Sequence, residues 1–310
     1  MGTLDRLGVH GSVSAVFPPA QLRAALADID PAVAVVDTDG AADCDALVTF
    51  AHDEAFLAAD PAWVHSVQAG VDRFPLDAFR ERGVALTNST GIHGDVVGET
   101  VAGYMLAFAR GLHRYRSSQE RGEWGRLPWD RPFTLGGERL CVVGLGTLGR
   151  GIAARADALG MEVVGVKRTP TPVDHVEAVY PPGELREAVS GARFVALAVP
   201  LTASTRGLVG EAELDAMCDG AVLINVARGP VVDESALVAA LRADELAGAA
   251  LDVFEEEPLP PESPLWGMDE VIVTPHHAAA TVDYYRRIAT LVRENVRRFA
   301  AGEDLANRVV

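Results

Sequence analysis

Residues 141–150 read CVVGLGTLGR, and this stretch decides the fold of the chain. A short apolar run leads into glycines spaced G-x-G-x-x-G, the pattern that binds the pyrophosphate of a dinucleotide. The first glycine permits a tight turn, the second lets backbone approach the phosphates, and the third lets helix and strand pack closely. The helix that follows would present free N–H groups to the anion. The predicted cofactor contacts in this turn are Gly144, Gly146, Thr147, Leu148 and Gly149.

The flanking sequence supports this fingerprint, which alone is a weak signal in a chain with 30 glycines. Leu140–Val143 is typical of a strand buried on both faces. Ile152, Ala156 and Leu159 then fall on one helical stripe, and Met161–Val166 predicts a second strand. Together they predict a β-α-β unit, and this context disfavours the alternative of a glycine-rich turn without a ligand.

The end of the second strand bears on the choice of cofactor. NAD sites usually carry Asp or Glu about 20 residues past the glycines, where it bonds the ribose 2′-hydroxyl. Here that place holds Lys167, Arg168 and Thr169, and Lys167 is the only lysine of the chain. A Lys–Arg pair attracts a 2′-phosphate that a carboxylate would repel. The sequence therefore favours NADP(H), with NAD(H) still possible; the alternative is an ordinary solvated surface pair.

Length and composition favour a two-domain cytoplasmic protein. The chain has 310 residues, of which 49% are hydrophobic, enough for two domains of typical size. No apolar run is long enough to span a bilayer, and the N-terminal residues lack the features of a signal peptide. The three cysteines are far apart in the sequence, and there is no Cys/His cluster, so we expect no metal site.

The charge of the chain limits its partners. The formal net charge is −17, which argues against nucleic acid and anionic membranes as partners. An acidic surface with one lysine fits a salt-adapted, halophilic protein, because salt screens the repulsion between its charges. An ordinary acidic cytosolic protein is an equal alternative.

Alternating strands and helices predict the fold class, α/β with two doubly wound parallel-sheet, Rossmann-like domains. Long helices are predicted over Asp95–Arg116 and from about Thr281 to Ala300, and the last helix is expected to return to the first domain. The cofactor domain, 98–280, would then be inserted into a discontinuous substrate domain, 1–97 plus 281–310. The other predicted strands are Ala32–Val36, Ala46–Phe50, Val64–Val67, Phe194–Val199, Val222–Val226, Ala249–Val253 and Val271–Thr274.

Three predicted strands of the cofactor domain are followed by polar, reactive side chains. Arg228 follows one strand, the run Glu255–Glu257 follows the next, and His276 follows the last. Because ligands bind outside the carboxyl ends of parallel strands, these groups are expected to meet at the cofactor crevice, between the domains. An arginine, a glutamate and a histidine placed there are suited to reducing a 2-keto acid. Taken singly, each has an ordinary alternative as a surface ion pair, a solvated acid or a helix cap.

At this point the chain resembles a known family, the D-isomer-specific 2-hydroxyacid dehydrogenases. The resemblance covers essentially the whole chain. It is carried, in matching order and spacing, by the glycine fingerprint, Pro200-Leu201-Thr202, Asn225–Gly229, Asp252–Phe254 with Glu257-Pro258, and Thr274–His276.

The resemblance implies roles for individual residues. It makes Arg228 the substrate-binding arginine, Glu257 the acid partner and His276 the general acid/base. Ala69 and Gly70 resemble the family's carboxylate cradle, a plain tight turn being the alternative, and the side-chain pocket is expected to involve His52. Further cofactor contacts implied by the resemblance are Pro200, Thr205, Val226, Ala227, Asp252 and Ala279.

The resemblance implies an enzyme that reduces small 2-keto acids to D-2-hydroxy acids with NADPH, as a homodimer. A formate dehydrogenase is less favoured, because that activity would require Gln and not Glu before Pro258. A dinucleotide-sensing binding protein of the same fold, similar to the family's corepressors, is the alternative from another class. The motifs cannot separate it from an enzyme, because that branch keeps the same three residues.

Overall fold

The structure, a computed structural model, describes residues 3–310 and divides the chain into two compact units. The first unit contains the residues up to Ile92 together with Ala280–Val310. The second unit is His93–Ala279, so its sequence lies within that of the first. Each unit has its own sheet.

The first unit has a five-stranded parallel sheet in the order β2-β1-β3-β4-β5. This is the flavodoxin-like doubly wound order, in which the order of successive strands reverses between β1 and β3. The strands are β1 (Arg6–His10), β2 (Ala32–Val36), β3 (Ala46–Thr49), β4 (Trp63–Ser66) and β5 (Ala85–Thr87). The helices are α1 (Pro19–Ala25), α2 (Glu54–Ala58), α3 (Leu76–Arg82) and, after the second unit, α10 (Tyr284–Ala301).

The second unit has a seven-stranded parallel sheet in the order β12-β11-β10-β9-β6-β7-β8. Six of these strands follow the Rossmann order and β12 extends the edge. The strands are β6 (Arg139–Val143), β7 (Glu162–Val166), β8 (Ala178–Tyr180), β9 (Phe194–Leu197), β10 (Val222–Asn225), β11 (Gly248–Leu251) and β12 (Val271–Val273). The helices are α4 (Gly94–Arg110), α5 (Leu112–Glu120), α6 (Thr147–Ala158), α7 (Leu185–Val189), α8 (Glu211–Leu214) and α9 (Glu234–Arg242).

Alternate residues of the strands enter two cores, one on each face of the sheet. In β6, Leu140 and Val142 join a cluster with residues of α4 and α6. Cys141 and Val143 join the opposite cluster, with residues of α7 and α9. Side chains alternate across a strand, so a sheet buried on both faces needs apolar residues at every position. This accounts for the unbroken apolar runs of the sequence.

The carboxyl ends of the strands in the second sheet indicate where a ligand would bind. In the second sheet the order in which successive strands are added reverses between β6 and β9, which are parallel and pair directly. The crevice outside the carboxyl ends of strands at such a point is where doubly wound folds bind ligands. The fingerprint turn follows β6, and Pro200 comes shortly after β9, so both border this point.

Two features differ from the sequence prediction. The long helix predicted over Asp95–Arg116 is divided into α4 and α5, because Gly111 adopts a left-handed conformation with φ 66°. Glycine ends helices readily in this conformation, since it has no side chain to clash. The stripe residue Leu159 follows the end of α6 and is 36% exposed, so the buried stripe ends before it.

Candidate active site

The fingerprint turn has the geometry that its three glycines predict. Gly144 has φ +100°, and a Cβ there would lie 2.7 Å from the carbonyl oxygen of Ala198. A Cβ on Gly149 would overlap the Gly144 carbonyl. A Cβ on Gly146 would meet nothing within 4 Å, so this backbone faces open space. Gly144 therefore meets the requirement of the turn, Gly146 that of ligand approach and Gly149 that of helix packing, as the sequence predicts.

The N-terminus of α6 is free to receive an anion. The helix begins at Thr147, and its N-cap, Gly146, provides no side-chain hydrogen bond to the first turn. No acidic residue lies in that turn. The first N–H groups of a helix have no intrahelical acceptor, and the helix dipole adds a partial positive charge. The residues present therefore fit a dinucleotide pyrophosphate at this place.

Basic residues follow β7, where a ribose would lie in a fold of this kind. Lys167 comes directly after the strand, and its Nζ donates to Thr171 Oγ1 at 3.1 Å. Arg168 and Thr169 are exposed. No carboxylate stands among these three residues. The local charge at this end of β7 is therefore positive.

Other predicted cofactor positions lie in turns after β9 and β10. Thr205 Oγ1 donates to the Pro200 carbonyl at 2.6 Å and accepts from Thr202 N–H at 2.8 Å, so it orders the turn after β9. Val226 and Ala227 are buried, with 6% and 4% of their surfaces exposed. Ala279, the last residue of the second unit, is partly buried.

Asn225 was not predicted from the sequence as a functional residue, although it fixes the turn that carries Arg228. Its side chain donates to the Arg228 carbonyl at 3.1 Å and accepts from Ala227 N–H at 3.0 Å. The side chain is also almost fully buried, with 1% exposure for the residue. A strand that ends in Asn before a buried turn was the available signal, since Asn side chains commonly bond nearby backbone.

His276 and Glu257 are in direct contact. The Nδ1 atom of His276 lies 2.8 Å from Oε2 of Glu257. The other carboxylate oxygen, Oε1, accepts from Phe254 N–H at 3.3 Å. Glu255 and Glu256 are exposed, whereas Glu257 is partly buried. With Nδ1 engaged by the carboxylate, Nε2 is the ring atom available for proton transfer.

Arg228 lies at the same edge of the sheet as this pair. It follows β10, while Glu257 follows β11 and His276 follows β12, and these three strands are neighbours in the sheet. Because the strands are parallel, their carboxyl ends meet at one edge. The Arg228 side chain donates to the Ala227 carbonyl at 2.8 Å. The structure thus joins His276 to Glu257 directly and places Arg228 after the adjoining strand.

A buried carboxylate holds the segment that carries His276. Asp252 is 2% exposed and accepts hydrogen bonds from His277 N–H at 2.8 Å, Ala278 N–H at 2.9 Å and Thr274 Oγ1 at 2.6 Å. The Asp252 carbonyl also accepts from His276 N–H at 2.7 Å. These contacts support a conformation that few side-chain-bearing residues adopt, since His276 has φ 53°.

The same carboxylate network extends into α4. The hydroxyl proton of Thr274 goes to Asp252, so Tyr104 Oη, 2.6 Å from Thr274 Oγ1, is the donor of that pair. Burial raises the pKa of Tyr104 to about 12, which keeps the phenol protonated at neutral pH. Sequence reasoning missed Thr274 and Tyr104 as supports, because their partners are brought together only by the fold.

The predicted substrate residues lie in the first unit. His52 follows β3, and three aromatic rings lie with centroids 5.7 to 6.3 Å from its own, those of Phe56, Phe74 and Phe79. Its Nδ1 is buried without a hydrogen-bond partner in the described part of the chain. Burial lowers the pKa of His52 below its usual value, which favours the neutral ring. Ala69 and Gly70 lie in the segment after β4.

Two observations concern other kinds of site. Within residues 3–310, no group of three or more His, Cys, Asp and Glu side chains is arranged to hold a metal ion. Over the same residues, no helix combines the length and the apolar character needed to cross a bilayer.

A parallel sheet in Rossmann order, an uncapped glycine turn and a His–Glu pair at the sheet's carboxyl edge define a class, the nicotinamide-dinucleotide-dependent oxidoreductases. Comparison with known proteins narrows the class. Residues 102–278 match the family model for the NAD binding domain of D-isomer specific 2-hydroxyacid dehydrogenases. The chain belongs to this family of NAD(P)-dependent dehydrogenases.

Relatives and solved structures agree with this assignment. A glyoxylate reductase of Korarchaeum cryptofilum is 34% identical over 86% of this chain and 83% of its own. A D-3-phosphoglycerate dehydrogenase of Methanocaldococcus jannaschii is 38% identical over 78% of this chain, which matches only 46% of that longer relative. A D-isomer specific 2-hydroxyacid dehydrogenase from Xanthobacter autotrophicus, solved with NADPH and MES, superposes with a TM-score of 0.81 at 34% identity, covering 99% of this chain and 98% of that one.

Proposed function

We propose that the protein reduces small 2-keto acids to D-2-hydroxy acids with NADPH. The observation that carries the proposal is the 2.8 Å contact between His276 Nδ1 and Glu257 Oε2, at the carboxyl edge of a sheet that also forms the fingerprint turn. A histidine paired with a carboxylate in this way is suited to protonating a carbonyl oxygen. The family and the glyoxylate reductase relative support the substrate class.

The cofactor would be held by the fingerprint turn and by the residues after β7. Gly144, Gly146 and Gly149 shape the turn, and the amides of Thr147 and Leu148 at the start of α6 would bind the pyrophosphate. Lys167, Arg168 and Thr169 would bind the 2′-phosphate of NADP(H). The NADPH found in the Xanthobacter structure supports this preference. When bound, the nicotinamide supplies the hydride that the carbonyl carbon receives.

The nicotinamide side of the site would be formed by turns after the central strands. Pro200, Thr205, Val226, Ala227 and Ala279 would line the cofactor. Asp252 would border the nicotinamide amide. Its carboxylate oxygens already accept three hydrogen bonds from Thr274, His277 and Ala278, so its further contribution is to keep the His276 segment rigid.

Three side chains would act on the substrate. Protonated His276 would donate the Nε2 proton to the carbonyl oxygen as negative charge develops there, a contribution typically worth about 10² to 10⁴-fold in rate. Glu257 would fix the orientation of the ring and favour its charged form. Arg228 would bind the substrate carboxylate and polarise the carbonyl. The amides near Ala69 and Gly70 would bind a substrate carboxylate, and His52 would contribute to the side-chain pocket.

The proposal is tested by following NADPH and NADH oxidation with a series of 2-keto acids that begins with glyoxylate and increases in side-chain size. We expect saturable turnover with a small keto acid, a higher kcat/KM with NADPH than with NADH, and a D-configured product. Tight NADPH binding without turnover of any keto acid, at low and at high salt, would instead favour the dinucleotide-sensing alternative.

We further propose that the protein forms a homodimer through the second unit. Trp124 and Trp129, in the segment between α5 and β6, are 95% and 94% exposed, and Leu112 and Tyr115 of α5 are also exposed. Large exposed apolar side chains grouped in one segment mark an interaction surface. Light scattering on the purified chain should give twice the mass of one chain; a monomer at micromolar concentration would contradict this.

A further inference from the structure

Four buried side chains of the first unit form a continuous hydrogen-bonded chain, the His65 chain, made of Trp63, Thr87, His65 and Ser89. Trp63 Nε1 donates to Thr87 Oγ1 at 2.7 Å, and His65 Nδ1 lies 2.8 Å from the same hydroxyl. His65 Nε2 lies 3.1 Å from Ser89 Oγ. All four residues have no exposed surface, so these polar groups depend on partners within the protein.

The direction of each hydrogen bond follows from the number of available protons. Ser89 Oγ donates its single proton to the Ser66 carbonyl at 2.9 Å, so it must accept from His65 Nε2. A neutral imidazole protonated on Nε2 then accepts at Nδ1, and Thr87 provides that proton. Burial lowers the pKa of His65 to about 3, consistent with the neutral ring. The chain therefore ends on the backbone at Ser66.

Other donors hold the carbonyl groups that follow Ser66. The Val67 carbonyl accepts from Tyr284 Oη at 2.6 Å, and the Gln68 carbonyl accepts from Ser89 N–H at 3.0 Å. The Ala69 carbonyl accepts from Asn88 Nδ2 at 2.6 Å. All four carbonyl groups from Ser66 to Ala69 are thus bound by groups of the first unit, and Ser89 holds two of them.

The amide N–H groups at the end of this segment differ from its carbonyl groups, because the described residues of the first unit do not bind them. The N–H groups of Ala69, Gly70 and Val71 donate to no acceptor within the described residues 3–310. All three residues are partly buried. Successive backbone N–H groups of this kind form an anion-binding concavity. With its carbonyl groups held by the protein, the segment directs only donors toward a ligand.

We propose that His65 and Ser89, at one end of this chain, form a positioning device, in which Ser89 holds the Ser66–Ala69 backbone so that the amides of Ala69, Gly70 and Val71 bind the carboxylate of the 2-keto acid. This inference rests on the proposed function. His65 and Ser89 are positioning residues, since they act on the substrate only through the backbone. Their loss should weaken substrate binding without affecting the cofactor or the proton donor.

The inference is tested with Ser89→Ala, and Trp63→Phe serves as the matched control at the far end of the same chain. Trp63→Phe removes the donor to Thr87, and Ser89→Ala removes the donor to the Ser66 carbonyl and the acceptor of His65, so both variants should lower Tm. Only Ser89→Ala should raise KM for the keto acid, by about tenfold or more, which corresponds to one hydrogen bond's worth of free energy. Its kcat and its KM for NADPH should stay within about twofold of the wild type.

A rescue pair separates positioning from stability. His65→Gln keeps an amide donor for Ser89 and should retain a KM near that of the wild type, whereas His65→Leu should resemble Ser89→Ala. Equal KM values for the two His65 variants, or a KM increase in Trp63→Phe as large as that in Ser89→Ala, would overturn the inference.

A binding measurement distinguishes this inference from the proposed function. Oxamate, an unreactive analogue with the carboxylate of a 2-keto acid, is titrated into protein labelled with ¹⁵N, and the amide signals of Ala69, Gly70 and Val71 are followed. These signals should shift in the wild type and shift much less in Ser89→Ala. Shifts in a wild type that reduces no keto acid would refute the proposed function alone. Turnover without shifts at these amides would refute the cradle and its positioning by Ser89.

Discussion

At the scale of single residues, the site depends on hydrogen bonds that fix a few reactive groups. His276 is set by Glu257 on its ring and by Asp252 on its backbone. These contacts would hold the proposed general acid in the geometry it needs, and they support its unusual backbone conformation at φ 53°. Because Nδ1 is hydrogen-bonded to Glu257, Nε2 is the ring nitrogen that would transfer a proton.

The proposed preference for NADPH can be tested at the two basic residues after β7. Replacing Lys167 with Asp and Arg168 with Ala removes two positive charges and adds a negative one where the 2′-phosphate would bind. We expect the ratio of kcat/KM for NADPH to that for NADH to fall about tenfold to hundredfold, since a hydrogen bond to a charged group contributes roughly 1.5 to 3 kcal/mol.

NADH provides the internal control in this experiment, because it lacks the 2′-phosphate. Its kcat/KM should be unchanged or higher in the double variant. If the ratio of the two cofactors stays the same, Lys167 and Arg168 do not bind a phosphate and the preference must have another origin.

At the scale of elements, close contact between α4 and α6 sets the position of the fingerprint helix. A Cβ on Gly98 of α4 would overlap the carbonyl of Gly151 in α6. Asp95 and Glu99 of α4 also form ion pairs with Arg155 of α6, at 3.1 and 3.4 Å. These partly exposed pairs contribute little, so the glycine contact determines how near the helices lie.

Two glycines of α4 give opposite predictions for the same substitution. Gly98→Ala should lower the free energy of unfolding by about 1 to 3 kcal/mol, the usual cost of overpacking, and raise KM for NADPH because α6 must move. Gly103→Ala is the matched control, since a Cβ there meets nothing within 4 Å, and it should stabilise the protein by about 0.5 to 1 kcal/mol. Chemical denaturation measures both values. Equal effects of the two substitutions would show that the helices are not in tight contact.

The buried imidazole of β4 makes stability depend on pH. The pKa of His65 is about 3 in the folded protein against a usual value of 6.5, so the unfolded chain takes up a proton over this interval and the folded protein does not. The contribution of His65 is therefore complete above about pH 6.5 and is lost as the pH falls toward 3.

His65→Gln removes this titration while keeping the donor to Ser89. We expect the difference in free energy of unfolding between wild type and variant to become smaller by up to about 1.4 kcal/mol for each pH unit below about 6. Denaturation series at successive pH values measure the difference. A difference that is constant between about pH 7 and pH 4 would mean that His65 is not held neutral.

Several strands could be predicted from their apolar runs in the sequence, whereas β1, β5 and β8 were missed. The strands β6 and β10 contain the unbroken apolar runs Leu140–Val143 and Val222–Ile224, and this pattern was sufficient to predict them. Strand β1 was missed: it contains Gly8, which weakens the signal, yet a Cβ at Gly8 would lie 2.8 Å from the side chains of Cys44 and Leu47. The three-residue strands β5 and β8 were also missed.

The same division applies to the site. His276 and Glu257 were predicted because each follows a strand within a motif, and their contact follows from the parallel sheet. Asn225, Thr274 and Tyr104 were missed as supports, because their hydrogen bonds join residues that only the fold brings together. The His65 chain is of the same kind, since Trp63 and Thr87 lie on paired strands 24 residues apart.

At the scale of the whole molecule, the net charge of −17 should make stability sensitive to salt. Repulsion among like charges destabilises the compact state, and the screening length falls from about 10 Å at 0.1 M salt to about 3 Å at 1 M. We expect Tm to rise over this range and activity to be retained in molar salt. A lower Tm or loss of activity at 1 M salt would contradict a salt-adapted protein.

The proposed reduction depends on one proton donor, the Nε2 atom of His276. The most direct test measures kcat for NADPH-dependent keto acid reduction in the wild type and in His276→Gln, together with the Kd for NADPH in each. The account predicts a kcat about 10² to 10⁴-fold lower in the variant with an unchanged Kd, because glutamine cannot donate a proton as an acid. Turnover of the variant near that of the wild type would contradict it, since the imidazole beside Glu257 would then not be the acid.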